Sequence, residues 1–274
     1  EEKTYEDMMI EKMNLDEKIG QLVIVGFPPE IQDIDLKGYI DDHKVGGFIL
    51  FKRNYNNFRE LYELNSKLKR WNKDNLLPLF SSIDEEGGTV SRLPKDGVTM
   101  PEAALFGEIN EPILTQKSGS IIGKQLYAAG INTNFSPVLD ILSNKENRLF
   151  KSRAYGQDAN TVSKHGLSFI KGLSSQGIIP VAKHFPGHGD TSEDSHGVLP
   201  VVNIDMNKLE NRELIPFADA INLGIDMIMV GHISFPLIDE KQKPATKSRV
   251  ILTDILRNKM NFKGVALTDD IEMQ

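Results

Sequence analysis

The sequence predicts an α/β protein on a parallel sheet and, within that class, a TIM-type (β/α)8 barrel. Three observations carry this. Short, nearly continuous apolar runs rich in β-branched residues alternate with amphipathic stretches, the pattern of strands buried on both faces of a parallel sheet. Polar residues gather at or next to the C-terminal ends of those runs, namely Asp84, Asp140, Lys183-His184, His232 and Asp269; in a barrel these ends converge on one mouth, where an active site is built. The first run leads into Gly26-Phe27-Pro28-Pro29 rather than the G-x-G-x-x-G turn that a doubly wound fold usually carries.

The expected strands cover residues 21–26, 47–51, 79–84, 134–140, 181–185, 227–232 and 265–270. Amphipathic helices are expected between them, among others over 57–73, 112–129, 159–176, 207–222 and 253–261. Gly130, Gly177, Gly224 and Lys263-Gly264 each fall where a helix C-cap would precede the next strand. Seven strands leave a barrel one short. An open barrel would expose unpaired strand edges. The expectation is therefore one barrel domain over 1–274 that is incomplete at its C-terminus, the native product continuing by at least a helix–strand–helix unit or filling the eighth position otherwise. A first residue of Glu rather than Met likewise suggests a trimmed N-terminus.

Composition excludes several classes. In 274 residues, 39 acidic against 32 basic side chains give a net charge of −7, which argues against a nucleic-acid partner, since phosphate backbones call for clustered Lys and Arg. The densest basic run, Lys67-Leu68-Lys69-Arg70, lies in an amphipathic pattern and reads as a solvated helix face. There is no cysteine, hence no disulfide framework, thiol nucleophile or zinc–thiolate site, and the compartment is left open. The longest apolar stretch, Leu22 to Phe27, is far shorter than the roughly 18 residues of a membrane span.

The densest chemistry lies in Lys183-His184-Phe185-Pro186-Gly187-His188-Gly189-Asp190-Thr191-Ser192-Glu193-Asp194-Ser195-His196. Half of the six histidines of the chain fall in this one segment. His184, His188, Asp190 and His196 could ligate zinc, although no H-E-x-x-H or thiolate pattern accompanies them. Acid–base chemistry is the other reading. Asp194 and His196, two apart on an extended loop, put both side chains on one side, where the carboxylate favours a protonated ring able to donate near neutral pH. Asp269 and Asp270 are adjacent carboxylates at a strand end; alternation sends adjacent side chains to opposite faces, so only one can point into the mouth, and periodicity alone does not choose between them. Asp84 can serve a backbone cap or accept hydrogen bonds from a ligand, and Asp140 can serve structural hydrogen bonding or substrate contact.

K-H-F-P-G-H-G-D-T-x-x-D-S-H, with Asp84-Glu85-Glu86-Gly87-Gly88 and Thr268-Asp269-Asp270-Ile271-Glu272-Met273, closely resembles glycoside hydrolase family 3, over roughly residues 10–274. The D-S-H ending resembles its β-N-acetylglucosaminidase branch. The resemblance implies a TIM-type barrel, retention through a covalent glycosyl-enzyme, and no cofactor or metal. It implies Asp269 as nucleophile, His196 as general acid/base with Asp194 as its partner, and sugar contacts from Asp84, Arg92, Arg153, Lys183 and His184. His232 matches a recurrent position without a definite role. The implied partner is a small carbohydrate, a GlcNAc-terminated glycan or muropeptide. A β-N-acetylglucosaminide phosphorylase is an alternative, because a neutral His does not repel phosphate as a carboxylate would; a non-catalytic sugar-binding barrel is another.

Overall fold

The computed structural model describes residues 3–191, 199–241 and 243–273. Its strands are β1 (Ile24–Val25), β2 (Gly47–Leu50), β3 (Phe80–Ile83), β4 (Thr133–Asn134), β5 (Ile179–Phe185), β6 (Met227–Val230) and β7 (Val265–Thr268). They form one sheet in the order β1-β2-β3-β4-β5-β6-β7, and β1/β2, β2/β3, β5/β6 and β6/β7 pair in parallel. A doubly wound sheet reverses its order at a switch point. Chain order from end to end is instead the TIM-type arrangement. No helix among the described residues is long and apolar enough to cross a membrane.

The chain packs as two compact units. The first holds the residues up to Asp84, Arg92–Val98 and Gln125–Thr133. Its helix Phe58–Trp71 starts where the Asn57 side chain accepts from the Glu60 amide. Leu61, Asn65 and Leu68 then form its buried stripe. Buried Asn65 is satisfied, donating to the carbonyls of Leu61 (3.2 Å) and Ala129 (2.8 Å) while accepting from the Ser81 hydroxyl. Gly47 lets β2 lie against β3, since a Cβ there would stand 2.2 Å from the Phe80 carbonyl oxygen.

The second unit holds Glu85–Ser91, Thr99–Lys124 and the chain from Asn134 onward. Helix Ala159–Ser174 is capped by Asp158, which accepts from the Thr161 amide, and buries Val162, Phe169, Ile170 and Leu173. At Gly172 it meets the preceding helix so closely that a Cβ would stand 2.3 Å from the Gln116 carbonyl oxygen. In β5 every residue after Ile179 is buried, as expected of a strand covered on both faces.

The expected boundaries are corrected in four places. Strand 21–26 shrinks to β1 because Gln21 closes helix Leu15–Gln21, which is started by a reciprocal Asn14–Glu17 capping box. Strand 134–140 shrinks to β4: the Ser136 amide turns back to the Asn134 carbonyl (2.8 Å) and Pro137 has no N–H to donate, so beyond β4 the contact with β5 is reduced to the Val181 amide on the Ser136 carbonyl (3.1 Å) and an isolated Val138–Lys183 bridge. The last helix runs over Val250–Lys259 rather than 253–261, because the Ser248 hydroxyl accepts from the Ile251 amide and starts it earlier. Gly130, Gly177 and Gly224 have the left-handed φ expected of C-caps, but before β7 that conformation falls on Asn261 (φ 55°), not on Gly264. Gly264 answers a different need, a Cβ there being 2.2 Å from the Asp226 carbonyl oxygen.

Candidate active site

The second unit gathers an imidazole and charge cluster at the C-terminal ends of its strands. Asp140, fully buried, accepts from the His184 amide (3.2 Å), His184 Nδ1 (2.7 Å) and the His188 amide (2.6 Å). Burial alone would push its carboxyl up, but His184 and His188 outweigh burial and hold it below the ordinary range. Asp140 therefore organises the turn after β5. Phe150 supports both rings, with centroids 5.5 Å from His184 and 5.0 Å from His188.

Beside this turn, Glu86 is buried between two cations. Its carboxylate accepts a bidentate pair from Arg153 (2.8 Å each) and an ion pair from Lys183 (2.7 Å). Burial pushes the acid up, yet Lys183 and Arg153 bring its pKa down to about 2. The turn that presents Glu86 needs Gly87 (φ 87°) and Gly88 (φ 55°), both in the region that favours glycine. Sequence reasoning gave Glu86 no role. The available signal was an acid in the Asp84–Gly88 motif with two other motif positions, Arg153 and Lys183, carrying positive charge.

Asp269 follows β7. Its amide donates to the Val230 carbonyl (3.0 Å), extending the pairing with β6, and its half-buried side chain lies within electrostatic reach of His188. Asp270 is exposed, and its Oδ1 accepts from the Glu272 amide (2.9 Å), so this carboxylate serves the following turn. His232 bridges two segments: Nε2 donates to the Asp270 carbonyl (3.0 Å) and Nδ1 meets the Thr246 hydroxyl (2.9 Å). It thus braces the backbone beside Asp269. Beneath the Gly187 turn lies Glu213, which burial pushes up to about 7 against the pull of Arg212. Arg212 also pairs with Asp190 (3.2 Å).

Of the residues singled out in the sequence, Arg153, Lys183, His184 and Asp269 fall in this unit. Asp84, directly after β3, and Arg92, whose carbonyl accepts from the Tyr55 hydroxyl (2.7 Å), belong to the other. Asp194 and His196 lie outside the described residues. Among the described residues no three His, Asp or Glu side chains are grouped so as to hold a metal ion. His184 Nδ1 and Asp190 are instead committed to Asp140 and to Ser143 and Arg212.

A chain-ordered parallel α/β sheet with charged and imidazole side chains at its strand ends defines a TIM-type domain with an enzyme-like site. The model of the glycosyl hydrolase family 3 N-terminal domain matches residues 14–274, and the chain belongs to that family. It is 35% identical over 264 residues to β-hexosaminidase A of Pseudoalteromonas piscicida, covering 90% of this chain and 43% of the relative. It is 35% identical over 237 residues to a β-hexosaminidase of Nitrosomonas eutropha, covering 84% and 66%. Among solved structures it is similar to a family 3 β-N-acetylglucosaminidase from Paenibacillus sp. FPU-7, with a TM-score of 0.92, 38% identity, and 95% of this chain and 50% of that one covered. It is also similar to NagZ from Neisseria gonorrhoeae in complex with N-trifluoroacetyl-D-glucosamine, with a TM-score of 0.85, 30% identity, and 92% and 74% covered. The chain thus spans about half the length of the first relative and of the first structure.

Proposed function

We propose that this chain carries the catalytic domain of a retaining β-N-acetylglucosaminidase that removes terminal GlcNAc from peptidoglycan fragments or chitooligosaccharides. The observation that carries this reading is the clustering of Lys183, His184 and Asp269 at strand ends within one unit, with Arg153 joined to Lys183 through Glu86, in a chain whose relatives are named β-hexosaminidases. A retaining mechanism needs a carboxylate on one face of the anomeric carbon and a proton donor on the other. Asp269 attacks C1 as the C1–O bond to the aglycone breaks, and His196, kept protonated by Asp194, gives its proton to the departing oxygen. In the second step His196 takes a proton from water, whose oxygen attacks C1 and releases Asp269 as carboxylate. Arg153, Lys183 and His184 of this unit hold the sugar hydroxyls.

The test is turnover of aryl β-GlcNAc substrates graded by leaving-group pKa. His196→Ala should cost about 10²–10⁴-fold in kcat/KM on poor leaving groups. Good leaving groups need little protonation, so their first step should be spared and the glycosyl-enzyme should accumulate. Equal loss across the series would make His196 a binding residue. Release of GlcNAc-1-phosphate in place of GlcNAc in phosphate buffer would turn the reading to a phosphorylase.

A further inference from the structure

His188 is the one imidazole of the β5 turn to which the sequence motif assigned no sugar contact, and its hydrogen-bond network fixes what its ring can do. The Thr191 hydroxyl donates to the His188 carbonyl oxygen (2.9 Å), which as a carbonyl can only accept. The single hydroxyl hydrogen is thereby used, and the oxygen keeps two lone pairs. One accepts from Asn147 Nδ2 (3.1 Å). That amide cannot be reversed, because its Nδ2 also donates to the His188 carbonyl (3.3 Å) while its Oδ1 accepts from the Phe150 amide (3.2 Å). The other meets His188 Nδ1 at 3.0 Å, so with the hydroxyl hydrogen on the carbonyl at 2.9 Å Nδ1 is the donor. The neutral ring then carries its hydrogen on Nδ1 and presents Nε2 as a bare acceptor. Among the described residues nothing bonds to Nε2, whereas the ring itself is held edge-on to His184 (centroids 5.9 Å) and against Phe150.

The same accounting applies to its neighbour. His184 Nδ1 donates to Asp140, which accepts only, so both rings are aligned with Nδ1 inward and Nε2 left for other partners. Among the described residues, the titratable groups acting on His188 are Asp140, His184 and Asp269. Burial holds the ring below the ordinary imidazole range, and His184 adds to this against the pull of the two carboxylates.

We infer that His188 is a further sugar-contacting residue, a neutral imidazole whose Nε2 accepts from a hydroxyl or amide N–H of the bound GlcNAc beside Asp269. Thr191 and Asn147 are its positioning residues. This rests on the glycosidase reading. A neutral acceptor at this position adds no charge beside Asp269, so it leaves the carboxylate free to act as nucleophile while selecting for a donor on the sugar.

The test has two independent arms on the full chain. In long-range ¹⁵N NMR of histidine-labelled protein at pH 7, His188 is expected as the Nδ1–H tautomer, and saturation with GlcNAc should move Nε2 upfield. Thr191→Val should mix the tautomers and Thr191→Ser should keep them. In steady-state kinetics, His188→Phe keeps a ring against Phe150 but no acceptor, and should lower kcat/KM for aryl β-GlcNAc about tenfold, chiefly through KM, with partial rescue by His188→Gln. An Nε2–H tautomer, an Nε2 signal unmoved by bound GlcNAc, or a folded His188→Phe protein within twofold of wild type would each overturn the inference. Wild-type protein that neither binds GlcNAc nor hydrolyses the aryl substrate would defeat the glycosidase reading and the sugar contact with it, and is recognised because the tautomer of the free protein is read separately.

Discussion

Asp269→Ala is expected to lower kcat/KM for aryl β-GlcNAc substrates by on the order of 10³–10⁶-fold, the range seen when a covalent nucleophile is removed. The folded state should be nearly unaffected, because the side chain is only half-buried and, among the described residues, its one hydrogen bond is from the adjacent Asp270 amide. The loss should be partly repairable. With the carboxylate gone, a small anion such as azide can approach C1 from the same face, displace an activated leaving group once, and so turn a β-glycoside into an α-glycosyl azide. Formation of that product by Asp269→Ala, and not by Asp270→Ala, assigns the attacking face to Asp269. Asp270→Ala should keep most of the activity, since its carboxylate serves the turn to Glu272. An inactive Asp270 variant beside an active Asp269 variant would reverse the assignment.

The largest expected effect on stability is at Glu86. Replacing it with Gln or Leu removes the carboxylate shared by the buried cations Arg153 and Lys183, and breaking a buried ion pair from one side costs about 3–5 kcal/mol. Urea unfolding at pH 7 should report that loss as a lower midpoint. The acid limb should change as well. The folded pKa of about 2 lies below the ordinary value of 4.5, so the stability from ionised Glu86 is complete above about pH 4.5 and is lost as pH falls from there through 2. That component is about 3 kcal/mol in wild type, and Glu86→Gln should lack it, so the two curves should converge toward pH 2. Curves that coincide at pH 7 would mean that Glu86 does not hold the cations.

The differences between sequence and structure follow from how far each signal reaches along the chain. β2, β5, β6 and β7 were legible because a buried parallel strand is its own apolar run. β1 was overextended because Gln21, though next to an apolar run, is claimed by the helix that the Asn14 cap starts. β4 was overextended because Pro137 breaks the ladder within a run whose side chains still read as buried. Lys183, His184 and Asp269 could be singled out because each stands in a dense local motif at a strand end. Glu86 and Asp140 could not be assigned, since their partners lie 67 and 44 positions away and no local pattern reports such pairs. The Nδ1–H form of His188 was equally hidden, because it depends on which way one hydroxyl hydrogen at Thr191 is spent.

The most direct test of the central claim is to trap the intermediate. A slow fluorinated GlcNAc substrate with a good leaving group should form a stable ester, adding the mass of one sugar to the intact chain, and peptide mapping should place it on Asp269 in the segment Val265 to Met273. Loss of activity should follow labelling in a one-to-one ratio, and GlcNAc should protect. A label on Asp270 or Glu272, or turnover with no covalent sugar at any stage, would contradict the account.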